Sequence, residues 1–382
     1  MRKAKLLILY VCRTLGLFRV ARRCTRNRLR ILCYHGFELT DESSFRPKLF
    51  IKPARFEQRL ATIRREGFQV LPLSEGLERL YAGTLPKDAL VITVDDGFHT
   101  FSSLAVPLLL RHGYPATVYV TTYYVEHAKP IFRLVVQYMF WKTQVRQVRF
   151  QDVLWSGDRF ISLTDPPQVE RVMWDCINFG ERHCTEAQRV AICERLGTLL
   201  EVPYKEIVQS KILSLMSPDE LRSLASANIT VELHTHRHTF PADSRVAAER
   251  EIADNRSALA RWLKGDKRHF CYPSGLCDER QWSWLDGLHV KSAMTCVPGL
   301  NDLNTPRYAL RRFLDGENIH QLEFEAALSG FSDLARGLRA QLSSVGQRLF
   351  HLFPDEHQHR NKVIRQVEVK HAQECAAHYV AQ

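Results

Sequence analysis

The stretch ALVITVDDG, residues 89 to 97, runs through six consecutive apolar or β-branched positions and then meets two aspartates and a glycine. A strand that is apolar at nearly every position is covered on both faces, which places it inside a parallel sheet flanked by helices. The surrounding chain repeats the unit such a sheet needs. LRILCYHGF, residues 29 to 37, reads as a strand, and ARFEQRLATIRREG puts Phe56, Leu60 and Ile63 on one helical face. FQVLPL is strand-like, and SEGLERLYAG opens with Ser74 as a candidate N-cap and ends on Gly83. A helix within HTFSSLAVPLLLRHG precedes the strand ATVYVTT. ITVELHTH resumes the series, a long helix covers about Arg245 to Lys264, and HFCYPSG, SAMTCVP and LRRFLDG supply further strands. About seven β-α units favour a closed barrel of parallel strands over an open sheet.

The rhythm changes from about Pro130 to Met216, where IFRLVVQYMFWK and TEAQRVAICERLGTLL have helical patterns. This stretch, about 130–216, is expected to be a mainly helical insertion within a barrel spanning 29–330. SPDELRSLASAN closes it as a helix with Ser217 as N-cap and Glu220 three residues on. Residues 1–28 form a basic amphipathic segment, and 331–382 a polar, basic, peripheral tail. The apolar run LLILYVC is too short to span a bilayer, and Arg13 interrupts a signal-peptide reading. Two uses remain for that segment: lying on an anionic membrane surface, or covering the domain's own apolar flank. The net charge of +11 is not gathered into one stripe and comes with no recognised nucleic-acid motif, so nucleic acid is not an expected partner. Ten cysteines without a CxxC pair, several inside apolar runs, argue for reduced thiols. The expected location is therefore cytoplasmic, peripheral at the inner face of the membrane if the N-terminal segment binds lipid.

Chemistry-bearing residues collect at predicted strand ends: His35, Asp95 and Asp96, His234 to His238, and Pro273-Ser274-Gly275. In HTHRH, His234 and His238 stand four apart, so a helical turn after the strand lets both rings face one point while His236 points elsewhere. An ordinary Asp-Gly turn would account for DDG alone. Beside HTHRH on another strand end, two adjacent carboxylates call instead for a divalent cation to offset their repulsion. Two histidines and one aspartate with an open fourth position suit a catalytic zinc.

These motifs resemble the polysaccharide deacetylase superfamily, carbohydrate esterase family four. TVDDG (93–97) resembles its first motif, HTHRH (234–238) its second and, in part, FCYPSG (270–275) its third. LCYHGF, PARFEQRL, YPATVYVTT and VPGLNDLNTPRYALRRF add to the likeness, which spans roughly 29–330 apart from the insertion. The resemblance implies a distorted (β/α) barrel of about seven parallel strands that hydrolyses N-acetyl groups of acetamido sugars in a glycan or glycan precursor. It makes Asp96, His234 and His238 the ligands of a divalent metal, Zn2+ first and Co2+ or others next, and Asp95 the general base. The oxyanion donor falls at the Ser274 amide. The family's base-orienting Arg is replaced by Phe270, leaving Arg311 or Arg312 as substitutes, and the family's late His motif has only His320 as a counterpart for the general acid. His35 and Tyr272 are candidates for the substrate pocket, and Trp282 and Trp284 for a sugar-stacking wall; core packing accounts for these residues equally well. The expected partner is an N-acetylated sugar or polysaccharide. Two other functions fit the sequence: a deacylase of another amide or formamide, and a catalytically degenerate carbohydrate-binding protein.

Overall fold

In the computed structural model, which describes residues 2–150 and 159–339, the residues of ALVITV alternate between two apolar clusters. Leu90, Ile92 and Val94 pack outward with Phe56, Leu60, Ile63, Phe101 and Leu109. Ala89 and Val91 face a second cluster with Ile31, Tyr119, Cys271, Met294 and Leu310. That second cluster is the barrel interior. Its walls are β1 (Arg30–Tyr34), β2 (Ala89–Val94), β3 (Ala116–Val120), β4 (Ile229–Leu233), β5 (His269–Cys271), β6 (Ser292–Met294) and β7 (Phe313–Leu314). They pair in the order β6-β5-β4-β3-β2-β1-β7, all parallel, and the short strand Gln69–Val70 adds to the start of β2. One isolated bridge, Met294 to Leu310, ties β6 to the segment that leads into β7, so the result is a distorted (β/α) barrel of seven parallel strands.

Helices α1 (Arg2–Thr14) and α2 (Leu17–Thr25) precede β1, α3 (Pro53–Arg65) covers the outside, and α4 (Leu73–Tyr81) packs Leu73, Leu77 and Leu80 against the interior cluster. Helix α4 starts two residues earlier than the sequence suggests, with Pro72 as N-cap; Ser74 does not cap it but hydrogen-bonds His269 Nε2 at 3.0 Å. Between β3 and β4 lie α5 (Phe132–Lys142), α6 (Pro166–His183) and α7 (Glu186–Leu199), with shorter helices at Tyr204–Ser210 and Pro218–Ser223. The expected Ser217–Glu220 capping box is formed. This region also holds an antiparallel pair, Gln147–Phe150 with Arg159–Ser162, that helical periodicity does not reveal. Helix α8 (Arg245–Trp262) follows β4 and α9 (Gln321–Leu328) follows β7. Most of the C-terminal tail, 340–382, lies outside the described residues. No described helix is long and apolar enough to cross a membrane.

Candidate active site and metal centre

Strand parity brings the site together. Side chains two apart share a face, so the face carrying Ile31 and Cys33 continues to His35, and that of Val91 and Thr93 continues to Asp95. Register pairs Tyr119 with Glu232, so β4 turns Glu232 and His234 to the same interior. Asp96 would point outward by this rule. It adopts φ 67°, a left-handed turn, and the adjacent carboxylates diverge to different partners. Thr235 (φ 62°), His238 (φ 59°) and Ser274 (φ 58°) are left-handed too. For β-branched Thr235 this is costly, and such conformations persist where surrounding structure fixes them, commonly at functional sites.

Asp96 Oδ1 lies 3.2 Å from His234 Nε2 and 3.3 Å from His238 Nε2. His234 Nδ1 donates to the Cys271 carbonyl at 2.8 Å, which leaves Nε2 facing Asp96, donating to it when protonated and free to bind a metal when not. Its backbone amide is held by Asn255 Oδ1 at 3.1 Å, and Asn255 Nδ2 donates to the Val120 carbonyl at 2.9 Å and to Thr122 Oγ1 at 3.0 Å. Burial opposes a positive His234, but its hydrogen bond to Asp96 and the fields of both aspartates outweigh it and raise its pKa. Burial would raise Asp96; hydrogen bonds from His234 and His238 instead hold it well below the usual carboxylate range. Two imidazole nitrogens and a carboxylate oxygen aimed at one point, with the second nitrogen of His234 bonded to a carbonyl, fit a divalent ion. His238, at 38% side-chain exposure, leaves one side open. His236 points away, its Nδ1 2.8 Å from Thr122 Oγ1.

Asp95 meets a different partner. Arg312, wholly buried, grips it with both prongs, Nη1 to Oδ1 at 2.7 Å and Nη2 to Oδ2 at 2.8 Å. Arg312 Nε donates to the Thr295 carbonyl at 3.0 Å, which fixes the fork. Burial alone would raise the Asp95 pKa; the charge and hydrogen bonds of Arg312 more than offset this and keep it ionised. The thiols of Cys33 and Cys271 approach Oδ2 at 3.4 and 3.3 Å, and His35 Nε2 lies 3.8 Å away. Burial lowers the His35 pKa despite both aspartates, so the ring is neutral.

Other predicted residues fall elsewhere. Arg311 is exposed and its backbone, not its fork, is held by Asn301, so Arg312 takes the place beside Asp95. His320 is the N-cap of α9, accepting from the Leu322 amide at 3.2 Å, and is not gathered with the aspartates. Tyr272 is wholly buried, packed against Phe270 and Phe240 at ring distances of 5.0 and 5.8 Å. Trp282 also packs against the core. Ser274 sits in the turn after β5, beside Gly275, where a side chain would strike Cys296 within 2.4 Å. Asn255 escaped the sequence reading. Its signal was a polar residue inside the buried stripe Ala248, Ile252, Asn255, Leu259 of α8.

A His-His-Asp cluster that could hold a metal ion and a second, Arg-paired aspartate thus gather at the carboxyl ends of the barrel strands. The family described as polysaccharide deacetylase matches residues 198–291, which include the HTHRH segment and the turn after β5. No curated protein matches the chain. Among solved structures, the Streptococcus pyogenes deacetylase PplD in complex with acetate is 16% identical, with 79% of this chain and 98% of that chain covered and a TM-score of 0.53. A de-N-acetylase from Aggregatibacter actinomycetemcomitans (12% identical, 78% and 99% covered, TM-score 0.49) and IcaB from Ammonifex degensii (16%, 79% and 97%, 0.48) are also similar. Residues 198–291 thus match the polysaccharide deacetylase family, and the chain shares its fold with the solved deacetylase PplD.

Proposed function

We propose that this chain removes N-acetyl groups from an acetamido sugar in a glycan or glycan precursor, with Asp96, His234 and His238 holding a divalent metal and Asp95 acting as general base. The observation that carries this reading is the division of labour between neighbours: Asp96 faces two imidazoles while Asp95 is clamped by Arg312. When bound, Zn2+ or Co2+ supplies Lewis-acid polarisation and a more acidic water. Asp95, ionised and fixed by the Arg312 fork, takes the proton from water as oxygen attacks the acetamido carbonyl. The Ser274 amide is the candidate donor to the developing oxyanion. The proton on Asp95 is then available to the departing amine nitrogen, so that amide plus water gives acetate plus amine without a role for His320. The buried Arg312–Asp95 pair supports an active enzyme over a degenerate binding protein, because it supplies the orienting charge missing at Phe270.

In the same reading, 29–330 is the catalytic barrel with the 130–216 insertion, 1–28 and 331–382 are appendages, and the protein works in a reducing, cytoplasmic compartment at the membrane face. The nine described cysteines, all free thiols, support that compartment. The test is acetate release from N-acetylglucosamine oligomers and longer acetylated glycans, with and without added zinc or cobalt. Metal-stimulated release is expected, and Asp95→Asn should lower it by ~10²–10⁴-fold while metal content is retained. Release only from formylated analogues would move the substrate to another amide; no release from any acylated sugar at full metal loading would overturn the enzyme reading.

A further inference from the structure

We infer that α1 and α2 form a two-sided clasp whose outer face docks the protein on an anionic lipid bilayer. The inner side is already satisfied. Arg2 donates to the Asn318 carbonyl at 2.5 Å, Lys5 pairs with Glu323 at 2.5 Å and Arg13 with Glu325 at 3.0 Å. Between these anchors Leu9, Phe18 and Ala21 are buried, Leu9 and Phe18 against Ala326 and the latter also ring-to-ring with Phe331 at 5.1 Å. These inward positions, 2, 5, 9 and 13, fall on one helical face.

The opposite face of the same helix is also apolar. Ala4, Leu7, Ile8 and Val11 follow the three-and-four spacing of a stripe, with Leu7 64% and Ile8 61% exposed, and Leu15, in the turn after the helix, is 71% exposed. Gly16, at φ 76°, turns the chain into α2, which continues the surface with Leu17 and Val20. A helix that only covered the barrel would have no reason to be apolar on its solvent side. Around this face Lys3, Arg19, Arg23 and Arg26 are exposed and have no side-chain partner among the described residues. The first acidic residue of the chain is Glu38. Leucines bordered by unneutralised cations match an acyl boundary beneath anionic headgroups. A second copy would bring four further cations against these four, and a nucleic acid would leave the leucines in water. Arg2 reaches the loop leaving the carboxyl end of β7, the end of the barrel where Asp95 and His234 lie. If the chain acts on acetamido sugars as proposed above, a bilayer on this face suits a sugar carried on a lipid.

The test is co-sedimentation of the full chain with vesicles of phosphatidylcholine alone and of phosphatidylcholine containing phosphatidylglycerol, read beside sedimentation velocity without lipid. Binding to the anionic vesicles only, released by high salt, is expected. Arg19→Gln with Arg23→Gln should weaken partition roughly thirtyfold. Leu7→Gln, Ile8→Gln and Leu15→Gln together should abolish it with the thermal midpoint unchanged. Should the triple variant unfold, the arginine pair, exposed and unpaired, decides alone. Equal partition of wild type and arginine variant overturns the proposal. So does a wild-type dimer that the triple variant splits, with no lipid binding, or binding that appears only after residues 340–382 are removed.

Discussion

Asp95 and Asp96 are chemically identical neighbours, and the protein separates them through what each one meets. Asp96 belongs with His234 and His238, while His236 is spent on Thr122. His234→Ala or His238→Ala should each strip most of the bound metal, and His236→Ala should retain it; elemental analysis after dialysis reads the difference. Metal loss confined to His236→Ala would mean the ligand assignment is wrong. Arg312 invites a second comparison. Removing it strands a buried carboxylate, so Arg312→Met should cost about 3–5 kcal/mol of stability and most of the turnover. Arg311→Ala, on the exposed side, should change stability by less than about 0.5 kcal/mol. Urea unfolding of the two variants distinguishes them, and similar losses would remove Arg312 from its orienting role.

At the scale of elements, the barrel ties α4, β5 and β6 together through His269, whose Nε2 meets Ser74 and Nδ1 meets Ser292 at 2.8 Å. Burial, with help from Lys291 and Arg268, pushes its pKa down to about 4. Between that value and the ordinary 6.5, the unfolded chain binds a proton that the folded chain refuses. Stability from this ring is therefore complete above about pH 6.5 and falls as pH drops through the window, by up to roughly 3 kcal/mol. His269→Gln should flatten the acid limb of unfolding free energy measured from pH 7 to 4. An unchanged slope would place the titration elsewhere. Helix α8 works in the same way on the site: Asn255 fixes the His234 amide, and Glu251 accepts from the Arg237 amide at 2.7 Å, so one helix sets the HTHRH turn from beneath.

At the scale of the whole molecule, the insertion returns to the loop that carries Asp95 and Asp96. Leu215 bridges Phe98, and the Met216 amide donates to the Gly97 carbonyl at 2.9 Å, directly beside the aspartates. Across the barrel, Arg59 of α3 is buried on Asp315 at 2.9 Å just after β7. Sequence by itself determined the parallel β-α alternation, the ends of the strands where polar residues collect, and the pairing of DDG with HTHRH, because burial on both faces and the fixed spacing of the histidines leave local marks. It also marked the first helix as basic and apolar. It did not choose Arg312 over Arg311, since adjacent residues just before a short strand differ only in which way the chain turns them. Nor did it expose the antiparallel pair within the insertion, Ser74 as a partner of His269 rather than a cap, or the burial of Tyr272. Those depend on residues far apart in the chain meeting across the barrel, and only tertiary packing decides which of them do.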